Sequence, residues 1–307
     1  MTLKQKSFLI KYKSLSLYAL LLIILVNGFF SIARAADWQV DTWVGTEDDD
    51  PDAENIFTVT DLETNLNSPE SIAVDNNRNV YISDYNRIIM INSQGFVSIV
   101  AGDTSTGDVN GNGSSARFTD PKGLAFDTEE IYLYIADSTN HKIKKLNTVT
   151  QSVSTFYEFD NNFKPYDLAL DESNNVYVVG NDSLIYKINS SDDSLDIYAG
   201  SDIACDESDP LACDGTLNDA KFTTAIRGIA YDRANEKIYL ADGNQIRLID
   251  ADNVYTQQGE NTDFSSPHGL SVDADGLVYL TDTSNSRIKK VLNDADGTVE
   301  NVTSTNS

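Results

Sequence analysis

Five chemically active side chains occupy equivalent positions in a short segment that recurs along the chain. The position holds Glu70, Lys122, Tyr166, Arg227 and His268, each directly after the first residue of its segment. Carboxylate, ammonium, phenol, guanidinium and imidazole groups that converge on one place would bind a polar or charged ligand. The alternative interpretation is five solvated turn residues with no common ligand. Which of the two holds depends on how the repeats fold.

Binding of a divalent cation is a second possible chemistry. Glu70, Asp108, Asn110 and Asn112 offer the oxygen ligands that Ca²⁺ or Mg²⁺ prefers. The stretch from residue 108 to residue 113 imitates the first half of an EF-hand loop, but Thr119 stands where that loop needs a bidentate glutamate. We therefore expect a connecting loop and no resident cofactor, with a Ca²⁺ or Mg²⁺ site as the alternative.

Sequence motifs do not assign a catalytic residue or a reaction to this chain. The chain has two histidines, His141 and His268, which is too few for a site built on several histidine ligands. No nucleophile-elbow pattern and no glycine-rich phosphate loop before a helix occur in the sequence. We assign no catalytic residue, and the question of enzymatic activity stays open with a non-enzyme favoured.

The two cysteines, Cys205 and Cys213, bracket a loop rich in Asp, Ser and Pro. In an exported chain they would meet an oxidising compartment. The sequence predicts a disulfide between them, because nothing nearby supplies the further ligands of a metal site.

The elements that position these side chains belong to an internal repeat. Each repeat starts with a short apolar segment that closes on Asp, and a second segment rich in Val, Ile and Tyr follows after a polar turn, which is a strand signature. One Asp per repeat at a strand end indicates turn chemistry, not catalysis. The five first segments are Pro69–Asp75, Pro121–Asp127, Pro165–Asp171, Ile226–Asp232 and Pro267–Asp273.

A third and a fourth segment complete each repeat. The third segment alternates apolar and basic residues in Lys142–Leu146 and Arg287–Val291, which is typical of a half-exposed strand. Four short strands in a recurring unit predict an all-β fold, a β-propeller of five four-stranded blades, with six blades as the alternative. Residues of the five equivalent positions would then converge at one mouth of a central channel.

The segment Gln39–Gly45 resembles a fourth strand but precedes the first repeat. An unpaired strand leaves an exposed edge, so we expect it to close the ring beside the last blade. Residues 297–302 compete for that outer position, or both segments add.

The first 35 residues have the order of a secretory signal peptide. Four lysines precede an apolar run from Leu15 to Phe30, and Ala33-Arg34-Ala35 provides a small-residue cleavage site. The run is short for a membrane anchor and is interrupted by Asn27-Gly28. We predict a signal peptide over 1–35, cleavage after Ala35, and one propeller domain over 36–307 in a periplasmic or secreted protein.

The second and last repeats resemble the NHL repeat family. The match runs through Phe118-Thr119-Asp120-Pro121-Lys122-Gly123-Leu124-Ala125-Phe126-Asp127 and Tyr134-Ile135-Ala136-Asp137-Ser138-Thr139-Asn140-His141, and through Asp282-Thr283-Ser284-Asn285-Ser286-Arg287-Ile288. The resemblance implies a propeller but not one activity, because this fold hosts many. Gluconolactonase-like propellers are more distantly similar, and they hold a divalent cation with a Glu at a place comparable to Glu70.

The charge of the chain limits its partners. With 22 basic and 48 acidic residues the formal net charge is −26, which disfavours nucleic acid and anionic lipid. We expect a monomer that binds a protein, peptide or glycan at the channel mouth, without nucleic acid and without membrane insertion after cleavage. A divalent-metal-dependent hydrolase or lactonase is the alternative.

Overall fold

The structure is a computed structural model that describes residues 66–160, 162–201, 203–206, 210–224, 226–257, 263–273, 276–291 and 299–302. The predicted signal peptide, its cleavage after Ala35 and the ring-closing segment Gln39–Gly45 lie outside the described residues. Helix occurs in the described part only as short 3₁₀ turns, none of which has the length or the apolar character to cross a membrane.

The described chain forms five antiparallel sheets, one for each predicted repeat. Blade 1 consists of β1 (Pro69–Val74), β2 (Val80–Asp84), β3 (Arg87–Ile91) and β4 (Val97–Gly102). Blade 2 consists of β5 (Gly111–Asn112), β6 (Pro121–Phe126), β7 (Tyr132–Asp137), β8 (Lys142–Asn147) and β9 (Ser152–Glu158). Blade 3 consists of β10 (Pro165–Leu170), β11 (Val176–Gly180), β12 (Leu184–Ile188) and β13 (Leu195–Gly200).

The last two blades follow the same plan. Blade 4 consists of β14 (Gly215–Thr216), β15 (Ile226–Asp232), β16 (Lys237–Asp242), β17 (Gln245–Asp250) and β18 (Asn253–Thr256). Blade 5 consists of β19 (Pro267–Val272), β20 (Val278–Asp282), β21 (Arg287–Val291) and β22 (Val299–Val302). The 3₁₀ turns are Gly113–Ser115, Ser138–Asn140, Pro210–Cys213 and Thr283–Asn285. The predicted five-bladed propeller is confirmed.

Each blade is a meander in which neighbours in sequence are neighbours in the sheet. The order runs from the innermost strand outwards, and β5 and β14 add a short extra strand at the outer edges of blades 2 and 4. Aspartates close the turns as predicted. The carboxylate of Asp75 accepts the backbone N–H of Asn79 at 2.7 Å, and that of Asp171 accepts the N–H of Asn175 at 2.9 Å. One Asp per blade at this place is therefore a structural residue.

The hydrophobic core is divided into layers between adjacent blades. Four apolar clusters join blade 1 to 2, 2 to 3, 3 to 4 and 4 to 5. The connector that enters each of the last four blades buries one phenylalanine in these layers: Phe118, Phe163, Phe222 and Phe264. These phenylalanines hold neighbouring blades together and thereby fix where the innermost strands lie.

The contact between blade 5 and blade 1 differs from the contacts between the other neighbouring blades. Innermost strands pack in series from β1 through β6, β10 and β15 to β19. Between β19 and β1 the described residues make at most slight contact, and both strands are mainly half-buried. A fifth apolar cluster lies on the side of blade 1 that faces away from blade 2, and its members come from blade 1 and the residues just before it. Blade 5 takes its fourth strand from Val299–Val302, one of the two candidates for that position.

The third strands correct one expectation from the sequence. The alternation in the third strands of blades 2 and 5 predicts a half-exposed face, but Lys144 and Lys289 are fully buried, as is Arg247 in the third strand of blade 4. Each lies over the connector phenylalanine of its own blade, with a cation-to-ring distance between 4.5 and 5.2 Å. The alternation predicts an amphipathic strand because charged side chains normally face solvent. Here buried carboxylates neutralise the charge instead.

Candidate functional site

The five equivalent positions all lie in β-bulges. The pairing register shifts at the start of every innermost strand, at Pro69/Ser71, Pro121/Leu124, Pro165/Asp167, Ile226/Gly228 and Pro267/Leu270. The residue inside each bulge has no partner on the second strand, and bulges re-aim side chains in this way next to functional sites. The predicted residues are thus the second residues of the innermost strands.

All five side chains reach one cavity. Glu70, Lys122, Tyr166, Arg227 and His268 line a channel of about 630 Å³ that extends along the innermost strands. This volume falls within the range of sites that enclose small molecules. We call these five residues the channel mouth. The other histidine, His141, does not line the cavity, and its Nδ1 lies 2.7 Å from the carbonyl oxygen of Phe163.

Neighbouring blades bring the mouth side chains into contact one after another. Lys122 Nζ lies 3.4 Å from Glu70 Oε2 and 3.4 Å from Asp120 Oδ1. The same ammonium group lies 5.9 Å from the centre of the Tyr166 ring. On blade 4, the guanidinium carbon of Arg227 lies 4.9 Å from that ring centre. The tyrosine is therefore within cation–π distance of two cations.

The backbone of His268 packs closely against Gly228, the residue after Arg227. A side chain at Gly228 would overlap the carbonyl oxygen of His268, so only glycine lets blades 4 and 5 approach this closely. Burial lowers the pKa of His268 to about 4, and repulsion from Arg227 and Lys122 adds to this effect. The imidazole is neutral at pH 7 and accepts or donates hydrogen bonds without adding charge.

Glu70 is the one carboxylate among the five mouth residues. Burial raises its pKa above the usual value, while the nearby Lys122 acts in the opposite direction and Asp120 adds a further increase. The carboxylate is held by one ammonium group that it shares with Asp120.

Asp167 is a channel residue that the sequence reasoning missed. Its Oδ2 accepts the backbone N–H of Ile229 on blade 4 at 3.0 Å, and its Oδ1 accepts the N–H of Leu168 at 2.9 Å. Burial raises the pKa of Asp167 to about 7 against the opposing effect of these two donors. The sequence did contain a signal, because the equivalent residue is Gly or Ser in the other four repeats: Ser71, Gly123, Gly228 and Gly269.

The other metal-site candidates are engaged in different contacts. Asp108 binds the ammonium groups of Lys142 and Lys144, the latter at 2.9 Å. These ion pairs lower its pKa although partial burial opposes them. Asn110 accepts a hydrogen bond from the Thr155 hydroxyl at 3.3 Å. The stretch from 108 to 113 thus serves as the connector into blade 2, and Asp108 lies outside the channel cavity.

The predicted disulfide between Cys205 and Cys213 is present, with 5.5 Å between the Cα atoms. It lies in the connector between blades 3 and 4, away from the cavity. The carbonyl oxygen of Cys213 accepts a hydrogen bond from the buried guanidinium of Arg247 at 3.0 Å. The disulfide loop is thereby tied to the core of blade 4.

The fold and the channel define a five-bladed β-propeller whose central cavity has the size of a small-molecule site. Residues 264–291 match the family model of the NHL repeat. The chain therefore carries NHL repeat sequence on this propeller, which confirms the resemblance seen in the sequence.

Two sequence relatives are much longer than this chain, and one of them is named for the NHL repeat. The chain is 24% identical over 270 residues to Protein SUPPRESSOR OF QUENCHING 1, chloroplastic, of Arabidopsis thaliana, covering 74% of this chain and 25% of the plant protein. It is 45% identical over 49 residues to NHL repeat-containing protein 2 of Bos taurus, covering 16% of this chain and 7% of the bovine protein. The chain thus spans a quarter or less of these two relatives.

Solved structures support the fold. One similar structure is a gluconolactonase from Xanthomonas campestris, with a TM-score of 0.56, 13% sequence identity, and coverage of 79% of this chain and 78% of that chain. At this identity the similarity establishes a common propeller architecture and nothing about activity.

Proposed function

We propose that the protein is an exported binding module that holds a protein, peptide or glycan ligand at the channel mouth. The observation that carries the proposal is the convergence of five unlike side chains on one cavity of about 630 Å³. Elsewhere the blades repeat the same strand and turn residues. Ligand sites tend to combine such a concave space with a few convergent polar groups.

The contacts within the mouth favour binding over catalysis. Glu70 is paired with Lys122, and Tyr166 has cations over its ring, so these groups present charge and an aromatic surface to the channel. The alternative of a metal-dependent lactonase needs several oxygen or nitrogen ligands around one ion. Among the five mouth residues Glu70 is the one carboxylate, and it is paired with Lys122. Binding is therefore the function that we take forward.

The test uses labelled full-length protein on an array of glycans and on an array of peptides. The variant Tyr166→Ala/Arg227→Ala removes the aromatic surface and one cation from the mouth, and we expect it to lose the signals that the wild type gives. A matched control is Lys164→Ala/Tyr255→Ala, which removes one exposed cation and one exposed tyrosine outside the cavity. Retention of all signals by the mouth variant, or their loss in the control, would contradict the proposal.

Export is part of the same proposal. The disulfide between Cys205 and Cys213 supports it, because such bonds persist in oxidising compartments. Expression of the full chain in a bacterial host, followed by mass spectrometry of the exported fraction, should give a mature protein that starts at Ala36. Recovery of the uncleaved chain in the cytoplasmic fraction would contradict export.

A further inference from the structure

Two arginines of the channel differ from the other arginines in their surroundings. The described residues contain seven arginines, and five of them pair with a carboxylate within 3.6 Å. Arg78 and Arg227 make no such ion pair with the described residues, and both line the cavity. In a chain with a net charge of −26, carboxylates are abundant. A guanidinium that lines the cavity and makes no ion pair with a described carboxylate is available for an anion from outside.

We infer that the channel mouth recognises an acidic sugar, with the uronate carboxylate of the ligand bound by Arg227. The inference rests on the binding function proposed above and names its ligand class. A guanidinium presents parallel N–H donors that match a carboxylate in a bidentate geometry. Arg227 is exposed at the mouth, so its donors are accessible.

The charges of the mouth side chains favour a ligand with a single negative charge. The second cation, Lys122, is already shared between Glu70 and Asp120 at 3.4 Å each. A phosphate monoester, which carries close to two negative charges at pH 7, would approach these two carboxylates. Among the five mouth residues, Arg227 is the one cation without an ion pair to a described carboxylate. The neutral His268 adds no positive charge, but it offers a hydrogen-bonding ring beside Arg227. One carboxylate therefore fits the electrostatics better than a dianion.

The remaining groups fit a hydroxylated ligand better than a peptide. Glu70 provides carboxylate oxygens that accept hydrogen bonds from hydroxyl groups, and Tyr166 offers a ring surface with a polar end. The five mouth positions hold no aliphatic side chain, and the aliphatic residues of the cavity occupy other positions of the innermost strands. A peptide C-terminus shares the carboxylate but lacks the hydroxyl groups, so the two ligands are separable by experiment.

The experiment measures binding by titration calorimetry with three probes. The first is a uronic-acid trisaccharide, the second is its neutral counterpart with the carboxyl groups reduced, and the third is a tripeptide with a free C-terminus. We expect the wild type to bind the uronate and to bind the neutral sugar more weakly. Arg227→Gln should weaken uronate binding about 10- to 100-fold, the range for loss of hydrogen bonds between charged groups. It should change binding of the neutral sugar little.

Lys164→Gln is the matched control, because it removes one exposed positive charge near Tyr166 but outside the cavity. It should leave uronate affinity within about twofold. Circular dichroism and melting temperature check that both variants fold. Equal affinity for the acidic and the neutral sugar, or binding of the tripeptide alone, overturns the inference.

Failure to bind any of the three probes also overturns the inference. The proposed binding function is judged separately, by the array signals of the wild type and the Tyr166→Ala/Arg227→Ala variant. If those signals exist and depend on the mouth, the binding function stands with a different ligand.

Discussion

Removal of the buried ammonium group of Lys144 should strongly destabilise the protein. Its Nζ donates to Arg117 O at 2.8 Å and lies 2.9 Å from Asp108 Oδ1 and 3.2 Å from Asp137 Oδ2. The side chains of Lys144 and Asp137 are both fully buried. Replacement of the lysine by methionine keeps most of the volume but leaves the Asp137 carboxylate without its cation.

The size of the stability loss depends on the hydrogen bonds that the Asp137 carboxylate keeps. Loss of one partner from a buried ion pair costs about 3–5 kcal/mol. Asp137 still accepts the backbone N–H of Thr119 and the amide N–H of Asn140, both at 2.8 Å. These donors offset part of the loss, so we expect Lys144→Met to cost about 3 kcal/mol. This corresponds to a fall in Tm of roughly 6–12 °C for a domain of this size class.

The neighbouring lysine provides the control. Lys145 is half-buried, and its Nζ lies 5.1 Å from the Tyr132 ring and 5.5 Å from the Phe156 ring without an ion pair to a described carboxylate. Lys145→Met should cost no more than about 1 kcal/mol, the range of a cation–π contact near the surface. Urea unfolding followed by circular dichroism gives both free energies.

A second variant separates the charge from the packing. Asp137→Asn added to Lys144→Met removes the stranded negative charge, so the double variant should lose less stability than the sum of the two single variants. If Lys144→Met is as stable as Lys145→Met, or if the two changes at Lys144 and Asp137 are additive, the buried ion pair does not stabilise blade 2 as argued.

Three further predictions concern the connector, the blade contact and the mouth. Replacement of both Cys205 and Cys213 by alanine should cost about 2.5 kcal/mol, from the entropy of closing a loop with a separation of 8 residues, and calorimetry measures it. Gly228→Ala should cost about 1–3 kcal/mol because its Cβ would overlap a carbonyl oxygen, whereas Gly269→Ala meets no atom closer than 3.6 Å and should be tolerated in urea unfolding. The third prediction concerns His268, whose lowered pKa means that the unfolded chain binds a proton more readily than the folded protein. Stability should therefore fall as the pH decreases from about 6.5 to about 4, and His268→Gln should flatten that slope. Equal slopes for the two proteins would contradict the assignment.

The periodicity of the sequence was enough to predict the strands. Val, Ile and Tyr recur with polar turns at fixed positions, and a third and a fourth strand complete every blade as predicted, with a short fourth strand of blade 4 at Asn253–Thr256. The disulfide was predictable because only one pairing exists. Local pattern could not give the buried state of Lys144, because its carboxylate partner Asp108 comes from a connector distant in sequence.

The mouth was predictable as a position but not as a set of contacts. Equivalent places in repeats converge on the axis, so Arg227 and Tyr166 were expected to share one cavity. That their side chains touch depends on the radius of the ring, which packing between the blades sets. The repeating aspartates four residues later belong to turns, so the recurring Asp pattern does not predict a channel role for Asp167. The informative feature is that Asp167 stands at a position held by Gly or Ser in the other repeats.

The bulge at the start of each innermost strand makes the choice of mouth side chain independent of strand pairing. A bulged residue pairs with no residue of the second strand, so its side chain can change while the sheet keeps its ladder of backbone hydrogen bonds. The five mouth side chains can therefore be exchanged while the strands that carry them stay the same. A combinatorial library at these five positions is therefore expected to fold on one scaffold, with the blades and their buried ion pairs left untouched.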